Sequence, residues 1–167
     1  MKHFIDPTTN EVYGYEEDGS QDEFIPSRLV LMTDPWPPLP TLAEIKSTKV
    51  EQLNTLCSSE ITSGFQSSAL GSLHTYPSTV IDQNNMAVNV LSSLYPSLPG
   101  EWVTPQLCAD NNGMWQYRMH TAEQIQGVGS DGKNTILALL VKKAGLQDQV
   151  MAATTINEVQ LIVWRER

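Results

Sequence analysis

From Thr121 to Ala153 the chain carries a single apolar stripe, and this feature most restricts what it can fold into. Ile125, Val128, Gly132, Ile136, Leu139, Lys143, Leu146, Val150 and Ala153 recur at spacings of three or four. That spacing puts them on one face of a helix, with Lys143 the only break. Propensity opposes the helix, because Gly127, Gly129, Gly132 and Gly145 each cost about 1 kcal/mol relative to Ala in a helix interior. A stripe that persists through four glycines predicts a helix held by packing, with small residues permitting close approach. Unbroken to Ala153, it would span roughly 50 Å at about 1.5 Å per residue. Whether it bends at Gly127 to Gly132 is left open. Nothing in the stripe is catalytic; it marks a protein built for packing.

Charge is the next constraint. The net charge is −9, from 10 basic and 19 acidic residues. Residues 1–34 hold two basic and eight acidic side chains, a net of −6. Repulsion from phosphate argues against nucleic acid and against anionic membranes as partners. No basic start followed by an apolar run suggests an export signal, and the longest apolar run, Ile136 to Val141, is too short to span a bilayer. Cys57 and Cys108 have no CxxC spacing and read as buried thiols in a cytosol-like compartment.

Three segments follow along the chain. Residues 1–34 form an acidic, extended β-rich arm, in which Val12, Tyr13 and Tyr15 favour a strand that Phe24-Ile25 and Leu29 to Met32 can pair with. Residues 35–40, with Trp36 among four prolines, form an extended strut. Residues 41–167 form the main domain. There Thr41 and Glu44 suggest a capping box for a helix that buries Leu42, Ile45, Leu53, Leu56 and Ile61 and stops at Gly64. Ser67 to Tyr76 reads as two short strands around Gly71. Asp82 caps a second helix with Met86, Val90, Leu91 and Leu94 inside, ended by Pro96 and Pro99. Trp102–Ala109 and Met114–His120 flank Asp110-Asn111-Asn112-Gly113 as a hairpin, with Trp115, Tyr117 and Met119 on one face and Met114, Gln116 and Arg118 on the other. Capping boxes at Thr121/Gln124 and Thr155/Glu158 open the long helix and a final helix to Trp164. The expected fold class is α+β: helix–hairpin–helix–hairpin–long helix–helix, with an N-terminal extended arm.

The chain is poor in chemistry. His3, His74 and His120 lack partners at metal-ligand spacing. His74 with Asp82 and a serine sketches a triad, but no GxSxG elbow exists. The acidic run around Gly19 misses the calcium-loop template, and Gly127 to Gly132 misplaces the lysine and hydroxyl of a phosphate loop. Glu101, Asp110 and Asp82 are the only carboxylates near hairpins that a glycan hydrolase could use. These readings give no catalytic residue, no metal site and no cofactor. Candidate partner-docking residues are Tyr13, Tyr15, Trp36, Pro37 and Pro38, since a proline-rich strut loses little entropy on docking.

The run Ile45-Lys46, Leu53 to Ile61, Gly64-Phe65, Gly71, His74-Thr75-Tyr76, Asp82-Gln83-Asn84, Asn112-Gly113 and Ala152 to Val159 resembles a domain of unknown function found in tailed-phage tail-fibre and tail-fibre-assembly proteins. The resemblance covers about residues 41 to 164. The opening Phe4 to Gly14 is also similar to the starts of tail-fibre assembly proteins. Where relatives are Ala-rich, this chain has Gly127 to Gly132. The resemblance implies a non-enzymatic virion or assembly protein. Its partners would be a tail fibre, the baseplate or other tail proteins, with a homo-oligomer also allowed. Its place would be the virion tail, after assembly in the host cytoplasm. The expected role is a retained structural part, the alternatives being a chaperone that leaves or a glycan-binding receptor module.

Overall fold

The structure is a computed structural model and describes residues 1–97 and 100–165. The chain divides into two compact units, Met1–Thr41 and Leu42–Arg167. In the first, β1 (Lys2–Ile5) lies between β2 (Val12–Tyr15) and β3 (Val30–Leu31) in an antiparallel sheet. Phe4 pairs with Tyr13 on one side and Leu31 on the other. Asp6 closes the β1–β2 turn. It is 4% exposed, accepts from the Thr8 amide at 2.9 Å and takes the Arg28 Nε at 2.8 Å. Those bonds, the Thr8 amide foremost, hold its carboxyl below the usual range.

The second unit contains α1 (Leu42–Thr62), β4 (Phe65–Ser67), β5 (His74–Tyr76), α2 (Val80–Ser92), β6 (Val103–Ala109), β7 (Trp115–Thr121), α3 (Ala122–Ala152) and α4 (Ile156–Leu161). The strands form one antiparallel sheet in the order β4-β5-β6-β7. Helix α3 is continuous for 31 residues, about 46 Å at 1.5 Å per residue. Its stripe is the inner face: Ile125, Val128, Gly132, Leu139 and Val150 are buried, and Ile136, Lys143, Leu146 and Ala153 are half-buried. The N-terminal part joins a core of Phe65, Tyr76, Met86, Cys108, Ile125 and Val128. The C-terminal part joins a second core, where Val150 meets Leu53 of α1 and Val159 of α4. Gly129 and Gly132 explain why the helix tolerates poor propensity. A Cβ on Gly129 would lie 2.7 Å from Val90 Cγ2, and one on Gly132 would lie 2.9 Å from Phe65 Cζ. Contact that close between α3, α2 and the sheet requires glycine.

The expected fold class is overturned in its architecture, a succession of helices and separate hairpins behind an extended arm. Among the described residues the protein is α+β with four α-helices and two antiparallel sheets totalling seven strands, present in both the N-terminal and C-terminal parts, and it is not helix-dominated. A three-residue strand pair around Gly71 is too short to stand alone, so β5 joins β6 through Thr75 and Ala109, and both hairpins merge into one sheet. The N-terminal arm folds on itself, because Lys2–Ile5 offers both edges to later strands. Phe24, read as strand, lies in a single 3-10 turn (Asp22–Phe24).

Smaller corrections follow the same logic. Thr79 caps α2, and Asp82 is its third residue, returning the bond in a capping box. Leu91 and Leu94, expected inside, are 59% and 60% exposed, because Met86 and Val90 take the face toward α3. The helix stops at Ser92, before Pro96; Pro99 lies outside the described residues. On α1 the buried turn passes through Leu53 and Cys57, while Leu56 is exposed. The boxes at Thr121/Gln124 and Thr155/Glu158 are both formed.

Candidate functional site

The β6–β7 hairpin is built inside out. Its turn is held by Asp110, whose Oδ1 accepts from the Asn112 and Met114 amides at 2.9 and 3.1 Å, while Gly113 takes the positive φ of 77°. The Met114 amide first, then Asn112 and the Arg118 and His74 charges, keep the Asp110 carboxyl below the usual range. From that turn the register pairs Ala109 with Trp115, Leu107 with Tyr117, Pro105 with Met119 and Val103 with Thr121. These pairs share one face of the hairpin, buried at Ala109, half-buried at Leu107 and open to water at the other positions named next. Trp115 is 50% exposed, Tyr117 72%, Met119 56% and Val103 42%.

The inward face is polar instead. Thr104, Gln106, Cys108 and His120 are buried, and their polar groups are satisfied by Asn89 of α2, Arg118 of β7 and Tyr76 of β5. Thr104 Oγ1 donates to Asn89 Oδ1 at 3.0 Å, and the Asn89 amide donates to Gln106 Oε1 at 2.9 Å. Arg118 donates to the Cys108 carbonyl at 2.7 Å and to Asp110 at 3.1 Å. Turned with its oxygen toward Arg118, the Gln116 amide accepts from that guanidinium at 2.8 Å. His120 Nδ1–H donates to the Arg118 carbonyl at 2.8 Å, leaving Nε2 to accept from the Tyr76 hydroxyl at 2.9 Å. Among the described residues, every buried side-chain nitrogen and oxygen has a partner. The polar interior is thus affordable, but it leaves the apolar side of the hairpin uncovered.

A second apolar surface adjoins the helices. A cleft of about 520 Å³ lies between α2 and α3, lined by Phe65, Met86, Val90, Leu91, Leu94 and Ile136, with Lys133 contributing a charge. Beside it Ile81 and Val88 are 72% and 61% exposed.

The residues considered for chemistry are engaged locally. Asp82 Oδ2 takes the Thr79 amide and hydroxyl, and His74 Nδ1 bonds the Ser72 carbonyl at 2.8 Å, so the sketched triad does not assemble. Glu101 is an exposed turn residue. In the acidic run, Asp18 binds Ser20 and Asp22 binds Lys2. Gly127 to Gly132 lie inside α3. Among the described residues no three His, Cys, Asp or Glu side chains converge as metal ligands, and no helix is long and apolar enough to cross a membrane. Cys57 and Cys108 are free and buried.

Of the candidate docking residues, Tyr13 and Tyr15 are half-buried on β2. Tyr13 donates its hydroxyl to Glu11 at 2.7 Å, which raises its pKa, and Tyr15 stands edge-on to Phe4 at 5.5 Å. Trp36, Pro37 and Pro38 are exposed. Sequence reasoning passed over the hairpin face, although it grouped Trp115, Tyr117 and Met119 correctly. Alternation tells which residues share a face and not which face meets water. The signal available was the opposing row of Gln116, Arg118 and His120, with Thr104 and Gln106 across from it.

No curated protein and no solved structure matches the chain. One family model does match, over residues 44–163, and its description, a domain of unknown function, carries no activity and no link to phage tails. The match takes in all four strands of the sheet, α2, α3, α4 and nearly all of α1, and far more than half of the chain. The protein belongs to that family, the domain of unknown function DUF4376.

Proposed function

We propose that this chain is a non-enzymatic bacteriophage tail structural protein that binds a tail fibre, the baseplate or a neighbouring tail subunit in the virion. The observation that carries the reading is the inverted hairpin. A free domain gains nothing by holding Trp115, Tyr117 and Met119 in water while Thr104, Gln106 and His120 are buried on the other side of the same hairpin. A partner covering that face recovers roughly 25 cal/mol for each Å² of apolar surface removed from water. Aromatic residues and Met are also the types enriched at interface centres. The exposed Trp36-Pro37-Pro38 segment supplies a second contact of the same kind. The tail assignment itself rests on the sequence resemblance of residues 41 to 164. A protein partner is favoured over glycan because Trp115 and Tyr117 are flanked by Met119, Val103 and Leu107, which give a sugar no hydrogen bonds.

Quantitative mass spectrometry of purified virions tests the role. The expected result is a fixed copy number matching the symmetry of the fibre or baseplate. A chain abundant in infected cells but absent from particles would overturn retention and leave the chaperone. Val103→Asp, on the face but on β6, is expected to weaken incorporation, with a central-contact loss on the order of 2 kcal/mol, roughly thirtyfold in affinity.

A further inference from the structure

Among the described residues the sheet order leaves one side of β7 without a strand partner. The turn determines which backbone groups that side presents. The Asp110 N–H donates to the Met114 carbonyl at 3.3 Å, so hydrogen-bonded pairs with β6 recur at every second position from there. Gln116, Arg118 and His120 therefore point their backbone groups at β6, opposite Cys108, Gln106 and Thr104. Trp115, Tyr117 and Met119 point their N–H and C=O groups into solvent. Pro105, opposite Met119, stands at a position where β6 owes β7 no N–H. An open edge of this kind is ordinarily guarded by proline, a bulge or a charge. Strand β7 (WQYRMHT) has neither proline nor bulge. Its one charge, Arg118, is turned to Asp110 at 3.1 Å.

We propose that β7 pairs antiparallel with β7 of a second copy about a two-fold axis at Tyr117. This register places Tyr117 opposite itself and Trp115 opposite Met119 of the second copy. It forms three hydrogen-bonded pairs, each exchanging two N–H···O bonds. Trp115 and Met119 make sulfur–aromatic contacts, and on the inner face Gln116 meets Arg118 of the second copy. The register centred on Arg118 sets two guanidinium groups opposite each other. It also pairs Trp115 with Thr121, whose N–H is already donated to Gln124 at 2.9 Å. A one-residue slip turns the apolar face of one copy against the polar face of the other. Charge does not block the contact. The chain is −9 overall, yet the hairpin strands and turn carry only Asp110 and Arg118, which neutralise each other. The second copy is favoured over a foreign strand because one sequence satisfies both sides of the seam. The pairing fuses two four-stranded sheets into one of eight strands and doubles the apolar face. It deepens the docking reading given above, on which it rests for the use of that face.

Sedimentation equilibrium on the purified full chain tests it without any phage component. A concentration-dependent dimer is expected. Tyr117→Pro removes only an outward N–H, an edge position where proline is tolerated, and should give a monomer with an unchanged circular dichroism spectrum. Met119→Lys, which adds a guard charge to the edge, should do the same. Oxidation of Tyr117→Cys should yield a covalent dimer, because the roughly 5.5 Å Cα separation of such a pair lies within bridging range. Gln116→Cys should not, since it faces Arg118 and not itself. Cys57 and Cys108 are buried and silent. A wild-type chain that stays monomeric, or a dimer untouched by both edge variants, overturns the proposal while leaving the virion measurement open. Conversely, absence from virions would leave this dimer standing.

Discussion

Protonation of His120 is opposed by what surrounds it. The ring is fully buried, with Nε2 spent on the Tyr76 hydroxyl and Nδ1–H on the Arg118 carbonyl. Burial, reinforced by the His74 and Arg118 charges, pushes its pKa below the ordinary 6.5 and outweighs the upward pull of the Arg118 carbonyl. The unfolded chain therefore binds the proton more readily. The contribution to stability is complete above pH 6.5 and is lost as pH falls from there toward the folded value. The melting temperature should fall between pH 7 and 5, and less steeply in His120→Asn. Equal slopes in a thermal scan across that range would dismiss the His120 account. The carboxylates with lowered pKa, Asp6 and Asp110 among them, add a separate loss at more acidic pH.

At the scale of elements, α3 makes opposite predictions for two of its glycines. A Cβ on Gly132 strikes the Phe65 ring, whereas one on Gly145 meets nothing within 4 Å. Gly132→Ala should destabilise by about 1–3 kcal/mol from overpacking, less the propensity gain. Gly145→Ala should stabilise by roughly 0.5–1 kcal/mol. Urea denaturation of both variants decides, and two shifts of the same sign would contradict the packing account. This helix was legible in the sequence because its stripe repeats over many turns and its capping box is local. The hairpin was legible because Asp110 and Gly113 announce the turn. The joining of the strands into sheets was not. A single pairing, Thr75 with Ala109, joins the two hairpins, and no local pattern encodes which edge a three-residue strand will seek. The central place of β1 was hidden likewise, since only Phe4 and Ile5 of Lys2–Ile5 are apolar and its second partner, β3, lies beyond the whole acidic run. Leu91 and Leu94 were misplaced because an apolar residue implies burial only when nothing else is meant to cover it.

For the whole molecule, the two units hold together by different means. The first unit leans on turns, ion pairs and a short sheet, while the second owns two apolar cores. A chain limited to residues 42–167 should therefore keep the main thermal transition of the full protein, measured by calorimetry. A large drop would show that the first unit supports the second. Within the second unit, both cores are fastened to the same helix, one near each end of α3. A rod gripped at both ends acts as a beam. A pull on the sheet passes along its backbone into the α1–α4 end and is not absorbed in a loop. What such a construction supplies is stiffness: two surfaces held at a constant separation while either one is under load.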